Sequence, residues 1–379
     1  MAYGTVNADV IQTSTSGGVL GAGNASIMKN RLINGNMVID QRNAGASVAG
    51  NTGGVFVVDR WISSCTVSAK FNGQQNAGSV TPPAGFTNYL GITSTSAYSV
   101  LTGDTFLIQQ SIEGFNVADL GFGTANAKTV TLSFWVRSSL TGTFGGSLVN
   151  GGALTGSTDR NYPFSYTITS ANTWTQISVT IAGDTTGTWV TNNGAGMSVR
   201  FGLGSGATYS GTAGAWVAGN IVQPTGNVSV VGTNGATFYI TGVQLEVGSS
   251  ATGFEYRQYG TELSLCQRYL PAFGTGNASL RLPCAGICAS TSSAYITVNF
   301  PVTTRVPPTG ISISAASHFT VNVDGIVSSN PTGLVFTSSS SVNANRINAT
   351  GAAGLTTGQT AFLDITNTSG QLLFTGCEL

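Results

Sequence analysis

TVTLSFWVRSS, residues 129–139, sets Val130, Leu132, Phe134 and Val136 on one side of an extended chain and Thr131, Ser133, Trp135 and Arg137 on the other. A period of two marks a half-buried strand, because successive side chains leave a pleated backbone on opposite faces. The habit returns in NTWTQISVTIAG, residues 172–183, where Trp174, Gln176, Ser178 and Thr180 alternate with Thr175, Ile177, Val179 and Ile181. It returns in MSVRFGLGSG, from residue 197, and in ATFYITGVQLEVG, residues 236–248. In the last run Phe238 and Ile240 share a face, and Val243, Leu245 and Val247 share the next set. The phase slips at Thr241–Gly242, which predicts a β-bulge there. VFVVDRWISSCTVSAKF, residues 55–71, reads as strand, and LINGNMVIDQR gathers Leu32, Ile33, Met37 and Ile39 around an Asn-Gly turn. Turns rich in Gly, Asn and Ser separate these runs, with no helices alternating between them. An antiparallel sandwich of jelly-roll type follows, in an all-β chain.

Composition agrees. Hydrophobic residues make up 41% of the 379, enough for real cores, while charged residues are only 7%, 14 basic and 14 acidic. An ordinary globular protein carries about 25%. The 52 glycines suit tight turns, which need positive φ. Zero net charge and the lack of a basic patch argue against nucleic acid as a partner. No apolar run is long enough to span a bilayer, so no membrane insertion is expected. MAYGTVNADVIQTS lacks the basic and apolar regions of a secretory signal, so synthesis without export is expected. Five cysteines, Cys65, Cys266, Cys284, Cys288 and Cys377, read as small buried thiols. Cys284 and Cys288 have no second pair, and the single histidine, His318, lies far off, so neither a metal nor a cofactor is implied.

The chain divides into an arm over residues 1–30, a jelly-roll β-sandwich over 31–258, a short linking helix over 259–270 and a smaller C-terminal β-sandwich over 271–379. The arm, with QTSTSGGVLGAGNAS, is weakly periodic and reads either as an anchoring segment or as a frayed terminus. AYITVNFPV, HFTVNVDG, TGLVFTSS, TAFLDITN and QLLFTG are the strands expected in the last part. Between the sandwiches, Glu246, Glu255, Arg257, Glu262 and Arg268 concentrate charge that the chain elsewhere avoids. Leu263, Cys266 and Leu270 fall at three- and four-residue spacing and form one narrow apolar stripe. Glu255, Arg257, Glu262 and Arg268 are expected to fix the turn between domains, with the stripe facing a core or sister chains. A helix packed on its own sandwich, with solvated charges, is the competing reading. Two charge-poor sandwiches leave edges and apolar faces to cover, which favours oligomerisation.

GVQLEVG, followed by FEYR and then ELSLCQRY, is similar to the closing motif of bacteriophage tail-fibre and related virion proteins. NRLINGNMVIDQRN, with VDRW soon after, is similar to the start of the same domain. The resemblance covers residues 31–269, and its two ends are the specific part. TVTLSFWVRSS and TWTQISVTI also resemble jelly-roll carbohydrate-binding modules. The resemblance implies a structural virion component of the tail, a homotrimer. Its arm would attach to other virion tail proteins, and its outer part would touch a host cell-surface glycan.

Candidate carboxylates for glycoside cleavage, which takes two, are Asp59, Asp104, Asp119, Asp159 and Asp184. None sits in a paired motif, no Gly-Xaa-Ser-Xaa-Gly accompanies His318, and no phosphate-binding loop occurs, so no catalytic residue is assigned. Ligand binding falls instead to Trp189, Asn192, Tyr209 and Trp216 in the first part, with Asn193 beside them. Tyr295, His318 and Asn322 take it in the second, with Asn343 and Asn345 as further amides. Each of these also has an ordinary role in cores or turns. The competing functions are a virion connector or decoration protein without a host ligand, and a polysaccharide depolymerase.

Overall fold

The computed structural model describes residues 10–12, 19–21, 28–151, 160–274, 280–323 and 327–379. The arm expected over residues 1–30 lies outside them, apart from residues 28–30 and two short paired strands, Val10–Gln12 (β1) and Val19–Gly21 (β2). Asp159 also lies outside. The chain forms two compact units, Met1–Arg257 and Gln258–Glu378.

The first unit continues with Val48–Ala49 (β3), Val55–Val58 (β4), Trp61–Cys65 (β5), Phe71–Gln75 (β6), Leu90–Ser94 (β7) and Thr105–Glu113 (β8). Next come Val130–Ser138 (β9), Gly142–Asn150 (β10), Arg160–Ile168 (β11), Thr175–Ile181 (β12) and Ala195–Ser205 (β13). Ser210–Gly211 (β14), Val217–Ala218 (β15), Gln223–Pro224 (β16) and Thr237–Val247 (β17) complete it. Two antiparallel sheets result, β15-β11-β10-β13-β8-β5-β4 and β12-β9-β17-β7-β6-β3, which makes the expected sandwich. The inward residues of the two sheets meet ring to ring. Phe134 of β9 lies 5.0 Å from Phe201 of β13, and Phe144 of β10 lies 6.2 Å from Phe238 of β17.

The bulge is where the phase slip puts it. Thr241 pairs with Trp135 and Gln244 with Ser133, so Gly242 and Val243 together oppose Phe134. Gly242 adopts φ +61°, and a Cβ there would stand 2.6 Å from the Phe86 ring. Residues 55–71 correct the single-strand reading. The polar pair Asp59–Arg60 reverses the chain between β4 and β5, with Arg60 at φ +71°. Gln41 donates its backbone N–H to the buried Asp59 carboxylate at 3.0 Å, which pins the reversal. LINGNM forms no strand, yet Leu32, Ile33, Met37 and Ile39 are all buried around the Asn34 turn.

The charged stretch closes the first unit on itself. Glu255 accepts the backbone N–H of Lys29 at 3.1 Å and of Asn30 at 2.9 Å. Arg257 donates to Leu32 O at 3.1 Å and to Asn30 O, and it pairs with Glu255 at 3.2 Å. Asn30 reaches Val243 O at 3.0 Å, Val243 N–H donates to Gly35 O at 2.9 Å, and Arg31 N–H donates to Leu245 O at 2.9 Å. Glu246 is buried, accepting from Gln244 and from Thr252. Glu255 and Arg257, expected to fix a turn between domains, bind the opening segment of their own unit instead. The reason is local: residues 29–32 leave backbone groups near β17, and a carboxylate and a guanidinium satisfy several at once.

The second unit opens with the helix Tyr259–Gln267 (α1). Its buried side is Glu262, Cys266, Tyr269 and Leu270, while Leu263 is only half-buried. The stripe is therefore rotated from the one expected, with a carboxylate in it. Arg268 donates to Thr303 O at 3.3 Å, inside this unit. Then follow Ala272–Phe273 (β18), Leu280–Arg281 (β19), Cys284–Cys288 (β20), Ser293–Asn299 (β21), Gly310–Ile313 (β22) and Phe319–Val323 (β23). Val327–Ser329 (β24), Gly333–Ser340 (β25), Ala344–Thr350 (β26), Thr360–Ile365 (β27) and Leu372–Thr375 (β28) end the chain. A sheet ordered β24-β23-β27-β20-β21-β26-β25, with β19 also on β27, accompanies the sheet β18-β28-β22. Ile296, Val298, Phe319, Val321, Ile347, Leu363, Ile365 and Phe374 fill the core between them. β18, β19, β20, β22, β24 and β26 were not among the strands expected. All five cysteines are free thiols, and burial pushes Cys377 up to about 11. Among the described residues no helix is long and apolar enough to cross a membrane.

Candidate functional site

Two of the expected ligand residues come together. Trp189 follows β12 in a loop and Trp216 precedes β15, and their rings lie 5.5 Å apart at 87°. Phe122 packs edge-on against both, at 4.8 and 5.8 Å, and Tyr162 of β11 lies 5.4 Å from Trp216. Phe122 is buried, while Tyr162, Trp189 and Trp216 are each half-exposed. The two indole N–H groups donate inward, Trp189 to Thr186 O at 3.1 Å and Trp216 to Ala182 O at 2.6 Å. Their polar ends are thus satisfied by backbone carbonyls of residues 182 and 186. Offset and edge-on ring pairs of this kind are stabilising beyond the area they bury.

An ion pair holds the loop beneath them. Arg160 grips Asp184 with two bonds, at 2.7 and 3.0 Å, and Thr186 donates its backbone N–H and hydroxyl to the same carboxylate at 3.1 and 3.0 Å. Burial alone would raise the Asp184 pKa; the bonds from Arg160 and Thr186 outweigh it and hold the carboxyl below its usual range. Gly187, at φ +82°, lets the Arg160 stem pass under the loop, since a Cβ would stand 2.6 Å from Arg160 Cγ. Asn150 accepts Arg160 N–H at 2.6 Å and donates to Thr188 O at 3.1 Å. The aromatic patch therefore sits on a fixed loop. Asn192 is exposed on the next turn, where its side chain accepts Gly194 N–H at 2.8 Å, near the 60% exposed Phe115. Phe122, Tyr162, Arg160 and Phe115 were missed by sequence reasoning. Tyr162 could have been found from the alternation of RNYPFSYTI in β11, but Phe122 carries no periodic signal.

The other expected residues are scattered. Tyr209 is half-buried in a segment, residues 206–227, that lies across the outer face of the seven-stranded sheet. Gln223 of this segment sits over Gly202, Asn220 accepts from the buried Arg200 at 3.1 Å, and Gly219 O accepts from Asn161. That face is filled by the chain itself. In the second unit His318 shares a 2.8 Å bond with Ser314, Asn322 donates to Asp364 at 3.1 Å, and Tyr295 stands 39% exposed on β21. Asn343 accepts from Thr303 at 2.9 Å, and buried Asn345 donates to Thr337 O and Ser339 O.

The candidate acids have structural partners. Asp59 binds Gln41, and Asp119 pairs with Arg31 at 2.8 Å. Asp104 accepts from Thr66, Tyr98 and Leu101, at 3.1, 2.8 and 2.8 Å. Desolvation would raise the Asp104 pKa, but these bonds hold it below the usual range. Among the described residues no group of three or more His, Cys, Asp or Glu could hold a metal ion.

No family model and no curated protein matches the chain. Solved structures give partial likenesses. The enzymatically active domain of bacteriophage CBA120 tailspike protein 4 is 13% identical over 58% of this chain, with TM-score 0.29. The match spans only 22% of that protein. A family 11 carbohydrate-binding module from Clostridium thermocellum, in complex with a mixed-linked tetrasaccharide, is 14% identical over 55% of this chain and 98% of its own, with TM-score 0.26. A putative sugar binding protein from Bacteroides thetaiotaomicron is 10% identical over 58% of this chain and 100% of its own, with TM-score 0.33. With superpositions this partial, the jelly-roll architecture rests on the strand pairing itself.

Proposed function

We propose that this chain is a non-catalytic, glycan-binding structural component of a bacteriophage tail, assembled as a trimer, that recognises saccharide on the host surface. In this reading the N-terminal arm, residues 1–30, attaches it to neighbouring tail proteins. The observation that carries the binding part is the half-exposed pair Trp189–Trp216, fixed on a loop by the Arg160–Asp184 bonds. The C–H faces of a pyranose ring are apolar and dock on exposed aromatic carbon, while its hydroxyls turn to polar neighbours such as Asn192 and Thr186. The virion part rests on the resemblance of residues 31–269 to tail-fibre proteins. Binding without chemistry is favoured because Asp59, Asp104, Asp119 and Asp184 are each engaged by side-chain or backbone donors. A single shallow site of millimolar affinity is worth about −4 kcal/mol, and linked copies raise avidity by roughly 10²–10⁴.

The test is a glycan array probed with the full chain, followed by titration of the best binder. Trp216→Ala and Trp189→Ala are expected to weaken binding by roughly tenfold or more, about 1.4 kcal/mol. Trp216→Phe, which keeps the packing, separates lost fold from lost contact. Silence across the array, or full affinity in both alanine variants, overturns the binding reading.

A further inference from the structure

The outward face of the larger sheet in the second unit carries two arginines stacked on aromatic rings. Arg281 lies 4.6 Å above Phe362 of β27, and Arg346 of β26 lies 4.8 Å from the ring of Tyr295. Both aromatics point away from the core residues Leu363 and Ile296 that flank them in sequence. A stacked guanidinium uses its face on the ring and keeps its in-plane N–H fork free to grip a planar oxyanion. Arg281 shows the outcome, gripping the Asp364 carboxylate at 3.0 and 3.2 Å. Arg346 is stacked in the same way and exposed, but among the described residues its guanidinium has neither an ion pair nor a hydrogen bond.

The ground around Arg346 is built. β25 slips register between Phe336 and Ser340, so residues 337–339 bow out opposite Arg346. Buried Asn345 fixes the bow by donating to Thr337 O at 3.2 Å and Ser339 O at 3.3 Å. An open groove of about 420 Å³ results, lined by Thr297, residues 338–341, Ala344 and Arg346. Its wall offers hydroxyls and one cation, and no carboxylate.

We propose that this groove binds a carboxylate-bearing saccharide, with Arg346 gripping the carboxylate and Ser338, Ser339, Ser341 and Thr297 meeting the sugar hydroxyls. The inference rests on the glycan-binding reading above and adds a second site with a defined ligand class. Charge complementarity favours an acidic sugar, and the two parallel N–H groups of a guanidinium match the two oxygens of a carboxylate.

The test uses the full chain and oligogalacturonate, with its carboxyl-reduced neutral counterpart and a sulfated oligosaccharide of equal length as the other arms. The acid is expected to bind at least roughly tenfold tighter than the neutral chain, as a charge-assisted fork should. Arg346→Gln is expected to erase that preference and Arg346→Lys to keep only part of it, because an ammonium lacks the fork. Equal affinity for the acid and neutral chains overturns the proposal. So does an undiminished preference in Arg346→Gln, or tight binding of the sulfated chain alone. Loss of neutral-glycan binding in Trp216→Ala tests the first-unit reading separately, so the two can fail independently.

Discussion

Asp184 shows how one side chain can hold a surface in place. Its folded pKa lies below the ordinary carboxylate value, so in acid the folded chain binds fewer protons than the unfolded one. The stability it contributes is present above its unfolded pKa, about 3.9, and is lost as pH falls through the folded value. Asp104 adds in the same direction. Asp184→Asn is expected to cost about 3 kcal/mol at neutral pH, since it leaves a partly buried Arg160 without its carboxylate, and to flatten the acid limb of the stability profile. Denaturant unfolding from pH 7 to 3 checks both, and an unchanged acid limb contradicts the assignment. Tyr166 predicts the opposite sign. Its ring packs against those of Phe134 and Phe144, and its hydroxyl is buried without a hydrogen-bond partner among the described residues. Tyr166→Phe is expected to stabilise by about 1 kcal/mol, visible as a raised melting temperature.

At the scale of strands and loops, the bulge in β17 is the element to test. Gly242→Ala forces a side chain into left-handed backbone and against Phe86, and is expected to cost about 2 kcal/mol in thermal unfolding. A cost near zero would mean that the bulge is not held as described. This element was legible in the sequence, because alternation of apolar residues fixes which face each side chain takes and a slip in phase has few causes. β9 was legible for the same reason. The hairpin hidden in residues 55–71 was not, because Asp59 and Arg60 give no Gly or Pro signal for the reversal. β20 and β26 were passed over because CAGIC and ANRINAT alternate small or polar residues with few large apolar ones. The aromatic patch was half legible. Trp189 and Trp216 stood out by type, but Phe122 and Tyr162 join them only through tertiary packing. The charged stretch was noticed for the right reason, its local density of charge, but Glu255 and Arg257 serve backbone groups of their own unit. Sequence shows how many charges there are but not which distant backbone groups they satisfy.

For the whole molecule, a charge content of 7% leaves little to keep copies apart in solution. Leu101, Phe115, Ile287 and Val335 all stand about half exposed or more. Under the trimeric reading proposed above, light scattering should return three times the mass of one chain, and a single-chain mass at working concentration rejects it. The clasp at Glu255 and Arg257 has a mechanical consequence. Residues 29–32 and 243–257 are bonded side by side, so the two ends of the first sandwich are held together alongside β17. Tension drawn along the polypeptide would first load the bonds between these two segments, ahead of the other strands. The other strands, and the Trp189–Trp216 patch with them, keep their fold for as long as this clasp holds.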